Sequence, residues 1–134
     1  MPGKKRVLIV DDEAGVLSLL NIILTKNRFE VLEASSAATA LDMLEHESVD
    51  LIISDITMPG MNGLEFLEEV REWDMELPVI FVSGQDSSRA RAKAVTGASA
   101  VVEKPFKKDT LLKAVHKALA GSAVPSEPEE DLEA

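Results

Sequence analysis

The chain has no cysteine and no tyrosine, and only one tryptophan and four phenylalanines among its 134 residues. Without thiols it forms no disulfide, offers no thiolate to a metal and has no cysteine nucleophile. It also has no excess of basic residues. Fourteen Lys and Arg face 24 Asp and Glu, for a net charge of −10. Nucleic-acid binders need a basic footprint for phosphate contacts, so direct nucleic-acid reading is not expected. No apolar run approaches the ~18 residues of a membrane span. The stretch after Lys4-Lys5-Arg6 reaches Asp11 and Asp12 too soon for a signal peptide. What is present is enough apolar sequence, 46%, for one domain with its own core.

Half of the net charge lies in residues 121–134, which hold Glu127, Glu129, Glu130, Asp131 and Glu133 and no basic residue. With Pro125 and Pro128 and few apolar side chains, this stretch cannot bury enough surface to offset its ordering entropy. The expected organisation is a folded domain over residues 1–120 and an acidic disordered tail or linker over 121–134.

Five apolar runs read as strands: Arg6 to Val10, Phe29 to Glu33, Val49 to Ser54, Pro78 to Val82 and Ala100 to Glu103. Four lack polar alternation, which fits strands covered on both faces of a parallel sheet. The more polar second run reads as an edge. Helical spacing fills the gaps. Val16, Leu19, Leu20, Ile23 and Leu24 form one stripe, Ala37, Ala40, Leu41 and Leu44 another behind Ser35-Ser36 as N-cap. A third covers Leu64 to Trp73, with Trp73 as a packing residue, a fourth Gln85 to Thr96, and a fifth Leu111, Leu112, Val115 and Leu119. Strictly alternating β and α elements predict an α/β three-layer sandwich, (βα)5 and flavodoxin-like, with a parallel five-stranded sheet of order 2-1-3-4-5.

Open α/β sheets bind ligands beyond the carboxyl ends of their strands, where the strand order reverses. Here those ends deliver Asp11 and Asp12, Asp55, Ser83 and Lys104. Any one of them alone is an ordinary cap or loop residue. Together they place three carboxylates, a hydroxyl and an ammonium along one edge. Three close carboxylates repel, and a hard divalent cation with Lys104 would balance them. Mg²⁺ suits such a site because it takes one or two carboxylates, keeps water and completes its shell with phosphate oxygens. A carboxylate can also serve as nucleophile and form an aspartyl phosphate. The set therefore points to Mg²⁺-dependent phosphoryl chemistry on an aspartate.

The motifs Val7-Leu8-Ile9-Val10-Asp11-Asp12-Glu13, Asp55-Ile56-Thr57-Met58-Pro59-Gly60-Met61-Asn62-Gly63, Pro78 to Gly84 and Glu103-Lys104-Pro105-Phe106 resemble the receiver domain of two-component response regulators, in order and with suitable gaps from about residue 5 to residue 119. The resemblance implies that Asp55 accepts a phosphoryl group from a histidine kinase or a histidine phosphotransfer protein. It implies Mg²⁺ held by Asp12 directly, by Asp11 partly through water, by Asp55 and by the backbone carbonyl of Thr57. Ser83 would be the switch hydroxyl, Lys104 would contact the phosphoryl group, and the Lys104-Pro105 bond would be cis. It further implies a cytoplasmic switch with no separate substrate turnover, acting on an unknown downstream protein. Such a switch would be a monomer or a weak dimer through the face of the fourth helix, fifth strand and fifth helix. One departure stands out: Val101 occupies the position, three before the lysine, where the family usually carries Tyr or Phe. Val101 is then either a plain strand residue or a sign that signal transmission to that face differs. Thr57 and Gln85 sit where family members vary in ways that tune dephosphorylation.

Two rival functions remain open on the sequence. A phosphatase- or mutase-like enzyme usually shows a second acid two residues after the nucleophile, a position held here by Thr57. A binding module of the same fold would work without phosphorylation. His46 and His116 are expected on the surface, away from the strand exits. No stretch remains for a second domain, so the expectation is a stand-alone receiver or a segment of a longer regulator joined at the acidic stretch.

Overall fold

The computed structural model describes residues 4–84 and 98–120. Five strands, β1 (Arg6–Val10), β2 (Glu30–Ala34), β3 (Leu51–Asp55), β4 (Val79–Ser83) and β5 (Ala100–Glu103), form one sheet of order β2-β1-β3-β4-β5. Every pairing is parallel. Four helices are described: α1 (Ala14–Lys26), α2 (Ala37–Leu44), α3 (Gly63–Trp73) and α4 (Lys108–Leu119). The helix expected over Gln85 to Thr96 lies outside the described residues, as do Gln85 itself and the acidic stretch 121–134.

The unbroken apolar runs are explained by two cores, one on each face of the sheet. Side chains alternate across a strand. Val7, Ile9, Leu51, Ile53, Ile80 and Val82 therefore meet α1 and α4 on one face. Leu8, Val10, Ile52, Val79 and Phe81 meet α2 and α3 on the other. Strands β3 and β4 are buried at all five positions, whereas β2, the edge strand, has one buried residue, Ala34. The polar second run is thus an edge, as its composition indicates.

Two helical readings need correction. The buried stripe of α1 is Leu17, Leu20, Ile23 and Leu24, while Leu19 is 48% exposed. At about 100° per residue, Leu17 and Leu20 share a face from which Leu19 is turned away. Trp73 is not a packing residue: it is 54% exposed. It closes the last turn of α3 at the edge of the sheet, where its neighbours cover only part of the ring.

Local signals fix where the helices begin. Ser36 Oγ accepts from the Thr39 N–H to cap α2. Asn62 and Glu65 form a reciprocal capping box at the start of α3. The Gly63 N–H donates to the Ile56 carbonyl at 2.7 Å. This contact brings α3 so close to the end of β3 that a Cβ at Gly63 would collide with the Asp55 carbonyl. It would also lie 2.8 Å from Ile56 Cα and 2.9 Å from the Phe81 ring. A glycine here lets helix and strand touch beside Asp55.

Gly63→Ala is expected to destabilise the fold by about 1–3 kcal/mol, the usual cost of overpacking, read as a lower urea midpoint. An unchanged midpoint would show that the helix can slide away from β3 freely.

Candidate functional site

The carboxyl ends of β1, β3, β4 and β5 converge, as parallel strands in this order must. Asp11 follows β1, Asp55 ends β3, Ser83 ends β4 and Lys104 follows β5. Asp11, Asp55 and Ser83 are buried and Asp12 is exposed. One ligand oxygen from each of Asp11, Asp12 and Asp55 falls within 4.8 Å of the others. The three sequence-selected carboxylates are therefore gathered in one place.

Lys104 ties the group together. Its Nζ donates to Asp11 Oδ2 at 3.1 Å, to Asp55 Oδ2 at 3.3 Å and to Glu13 Oε1 at 3.5 Å. Its backbone N–H donates to the Ser83 carbonyl at 2.7 Å, pinning β5 to β4 at this edge. The Lys104-Pro105 bond is cis. Backbone donors support the carboxylates. The Glu13 N–H reaches Asp11 Oδ1 at 2.9 Å and the Thr57 N–H reaches Asp55 Oδ1 at 3.3 Å. Ser54, buried beneath, donates its hydroxyl to the Asp55 carbonyl. Glu13 lies within the first motif, but the sequence alone gives it no role. Only the long-range contact with Lys104 shows that it belongs to the site, and no local sequence signal carries that contact.

The charges do not balance. Four carboxylates, Asp11, Asp12, Asp55 and Glu13, share one described ammonium. Burial raises the Asp11 carboxyl above its ordinary range, against the opposing Glu13 N–H and Lys104. Burial also raises Asp55, followed by the charge of Asp11, with Lys104 again opposing. Burial alone would lower the Lys104 ammonium, but Asp55 and Asp11 together raise it. The Ser83 hydroxyl is buried and makes no hydrogen bond to a described residue. A buried hydroxyl without a partner costs about 1–3 kcal/mol, so Ser83 is a donor suited to an incoming oxygen. Excess negative charge beside an idle donor is chemistry suited to a cation and an anionic oxygen group.

The remaining residues fall elsewhere. Val101 is half-buried against the α2–α3 side core, opposite Phe81 in the β4–β5 register. His116 is exposed on α4 with its ring edge-on to Phe29 at 5.9 Å, and His46 is exposed at the end of α2. Neither lies at the strand exits. No described helix is long and apolar enough to cross a membrane.

Comparison with known proteins gives concordant matches. A family model for the response regulator receiver domain matches residues 7–116. The chain is 38% identical over 116 residues to the chemotaxis protein CheY of Bacillus subtilis, a match covering 85% of this chain and 97% of that one. It is 37% identical over 118 residues to the transcriptional regulatory protein GlrR of Escherichia coli, covering 87% of this chain but only 27% of that protein. Among solved structures, a CheY-like receiver domain from Methanospirillum hungatei superposes with a TM-score of 0.84 at 31% identity, covering 90% of this chain and 98% of that one.

The raised carboxyls hold protons in the fold at pH values where the unfolded chain has lost them. Their contribution to stability therefore falls as pH rises from the ordinary carboxylate range through the raised values. Lys104 has the opposite sense: its contribution is present below the ordinary lysine range and is lost as pH rises through its raised value. Without added divalent cation, Asp55→Asn is expected to stabilise the fold at neutral pH by about 1 kcal/mol, the scale of an ordinary single-site effect. That advantage should shrink as the pH drops below the carboxylate range. Lys104→Ala should destabilise by more than the ~1 kcal/mol of a surface pair. Thermal melts across pH read both, and two shifts of the same sign would refute the charge imbalance.

Proposed function

The chain belongs to the response regulator receiver domain family, the phosphorylation-activated part of two-component signalling, and on that premise we propose that Asp55 is its phosphoacceptor. The observation that carries this is the position of Asp55: a buried carboxylate held by Lys104, at the end of the strand next to the one that ends in Ser83, whose buried hydroxyl has no partner among the described residues. A carboxylate oxygen of Asp55 forms a bond to phosphorus as the P–N bond of a donor phosphohistidine breaks, and the imidazole leaves. The product acyl phosphate carries about one more negative charge than the carboxylate. Lys104 turns toward it, and the Ser83 hydroxyl donates to one of its oxygens.

The donor set fits Mg²⁺. Asp11, Asp12 and Asp55 present hard oxygens within reach of one another, and the carbonyl of Thr57, two residues after Asp55, is the fourth protein ligand in this reading. When bound, the ion supplies charge neutralisation for the incoming phosphoryl oxygens. The residues themselves orient and bind: Lys104 holds the acceptor, and the Thr57 N–H fixes its second oxygen.

The donor partner is a histidine kinase or a histidine phosphotransfer protein, and the output is contact with a downstream protein, in the cytoplasm. No other substrate is turned over. The chain spans nearly all of one relative and about a quarter of another, so both a stand-alone receiver and the receiver part of a longer regulator are compatible with it. In this reading residues 1–120 are the receiver unit and 121–134 an acidic tail or linker.

With Mg²⁺ and a small acyl-phosphate donor, intact-mass measurement should show the gain of one phosphoryl group, lost in Asp55→Asn and on removal of Mg²⁺. Lys104→Ala should slow the gain about 10²-fold or more, the scale expected when one preorganised charge is removed from a transition state. An unmodified wild type at saturating donor would sink the assignment, as would equal labelling of Asp55→Asn.

A further inference from the structure

The acidic charge is unevenly placed. Residues 37–77 hold eleven acidic side chains and one basic one, for a net −10 equal to that of the whole chain. Asp50, Asp55 and Asp74 are the members drawn inward. Most of the others are exposed on α2, α3 and the loops that follow them. Within this acidic surface lies a groove of about 340 Å³ between the α2–β3 and α3–β4 connections. Its apolar lining comes from Leu44, Val49, Trp73 and Leu77. Met75, 74% exposed, follows Trp73 by two residues. Exposed Glu45, Glu72 and Glu76 flank it in the chain. The groove sits at the amino ends of β3 and β4, so one strand length, about 16 Å, separates it from the carboxylate site.

We propose that this groove is a docking site for a basic amphipathic segment of a protein partner. An exposed Trp in a groove that mixes apolar and acidic lining is the kind of anchor that dominates binding energy when covered. The surround stays acidic although Arg6 already pairs with the lining Glu47 at 2.8 Å, and it selects Lys and Arg on the incoming segment and rejects acidic ones. A helix with apolar residues on one face and basic residues on the other meets both demands, in the helix-in-groove mode. The acidic tail of this chain does not, because its charge repels the surround. Since the groove lies at the opposite edge of the sheet from Asp55, docking does not require the phosphorylated state, and the partner is held before and after phosphoryl transfer.

The test uses the full chain and two labelled peptides of equal positive charge, one a Leu/Lys amphipathic helix and the other with its leucines replaced by serine. Fluorescence anisotropy should show saturable 1:1 binding of the first and none of the second at the same concentration. Trp73, the only tryptophan, should shift its emission to the blue as it is covered. Trp73→Ala should weaken binding about tenfold or more, and Glu45→Lys with Glu76→Lys should weaken it comparably; Trp73 and both glutamates are exposed, so these changes leave the core intact. Beryllofluoride and Mg²⁺ should leave the affinity unchanged. Equal binding of both peptides would reduce the effect to net charge and overturn the proposal. So would full affinity in Trp73→Ala, or loss of binding in Asp11→Asn, which would place the peptide at the carboxylate site. A blue shift on raising protein concentration alone would assign the groove to a second copy. These outcomes are separable from the failure of Asp55 to accept a phosphoryl group.

Discussion

The structure turns on one unequal meeting of charges. Asp11, Asp55 and Glu13 all reach Lys104, Asp12 stands beside them, and two of the four acids are buried. A single ammonium cannot neutralise this set, and burial makes the remainder more costly. The fold tolerates the cost because the groups sit at the ends of strands that two cores hold in fixed register. A pocket left short of positive charge suits a hard divalent cation.

The scaffold does this through contacts that look incidental in the sequence. Gly63 lets α3 abut the end of β3, and the Asn62–Glu65 capping box fixes where that helix begins. The backbone bond from Lys104 to Ser83 sets the end of β5 level with the end of β4. Opposite, the half-buried Val101 packs beside Phe81. A branched aliphatic side chain there offers no ring to swing between buried and exposed positions, so any transmission along this edge must use other groups.

Much of this was legible from the chain. Unalternated runs such as Leu51 to Ser54 give a sheet covered on both faces, and the polar residues at the ends of four of the five runs mark the candidate site. Asp11, Asp12, Asp55, Ser83 and Lys104 all converge as the strand order requires. The misreadings share a cause. Leu19 and Trp73 are apolar and fall near helical stripes, but periodicity cannot say which edge of a stripe meets a neighbour or where a helix outruns the sheet. Glu13 escaped because its partner is 91 residues away. The acidic groove escaped because total charge hides placement: the −10 of the whole chain conceals a −10 segment, residues 37–77, while acids and bases balance elsewhere.

The central claim, that the pocket is short of positive charge in a way a divalent cation completes, is tested most directly by thermal unfolding as Mg²⁺ is titrated at constant ionic strength. The wild type should gain stability saturably, by about 2.7 kcal/mol at a free concentration one hundred times the dissociation constant, and Asp11→Asn with Asp12→Asn should gain none. An equal gain in that variant, or the same gain from a monovalent salt, would contradict the account.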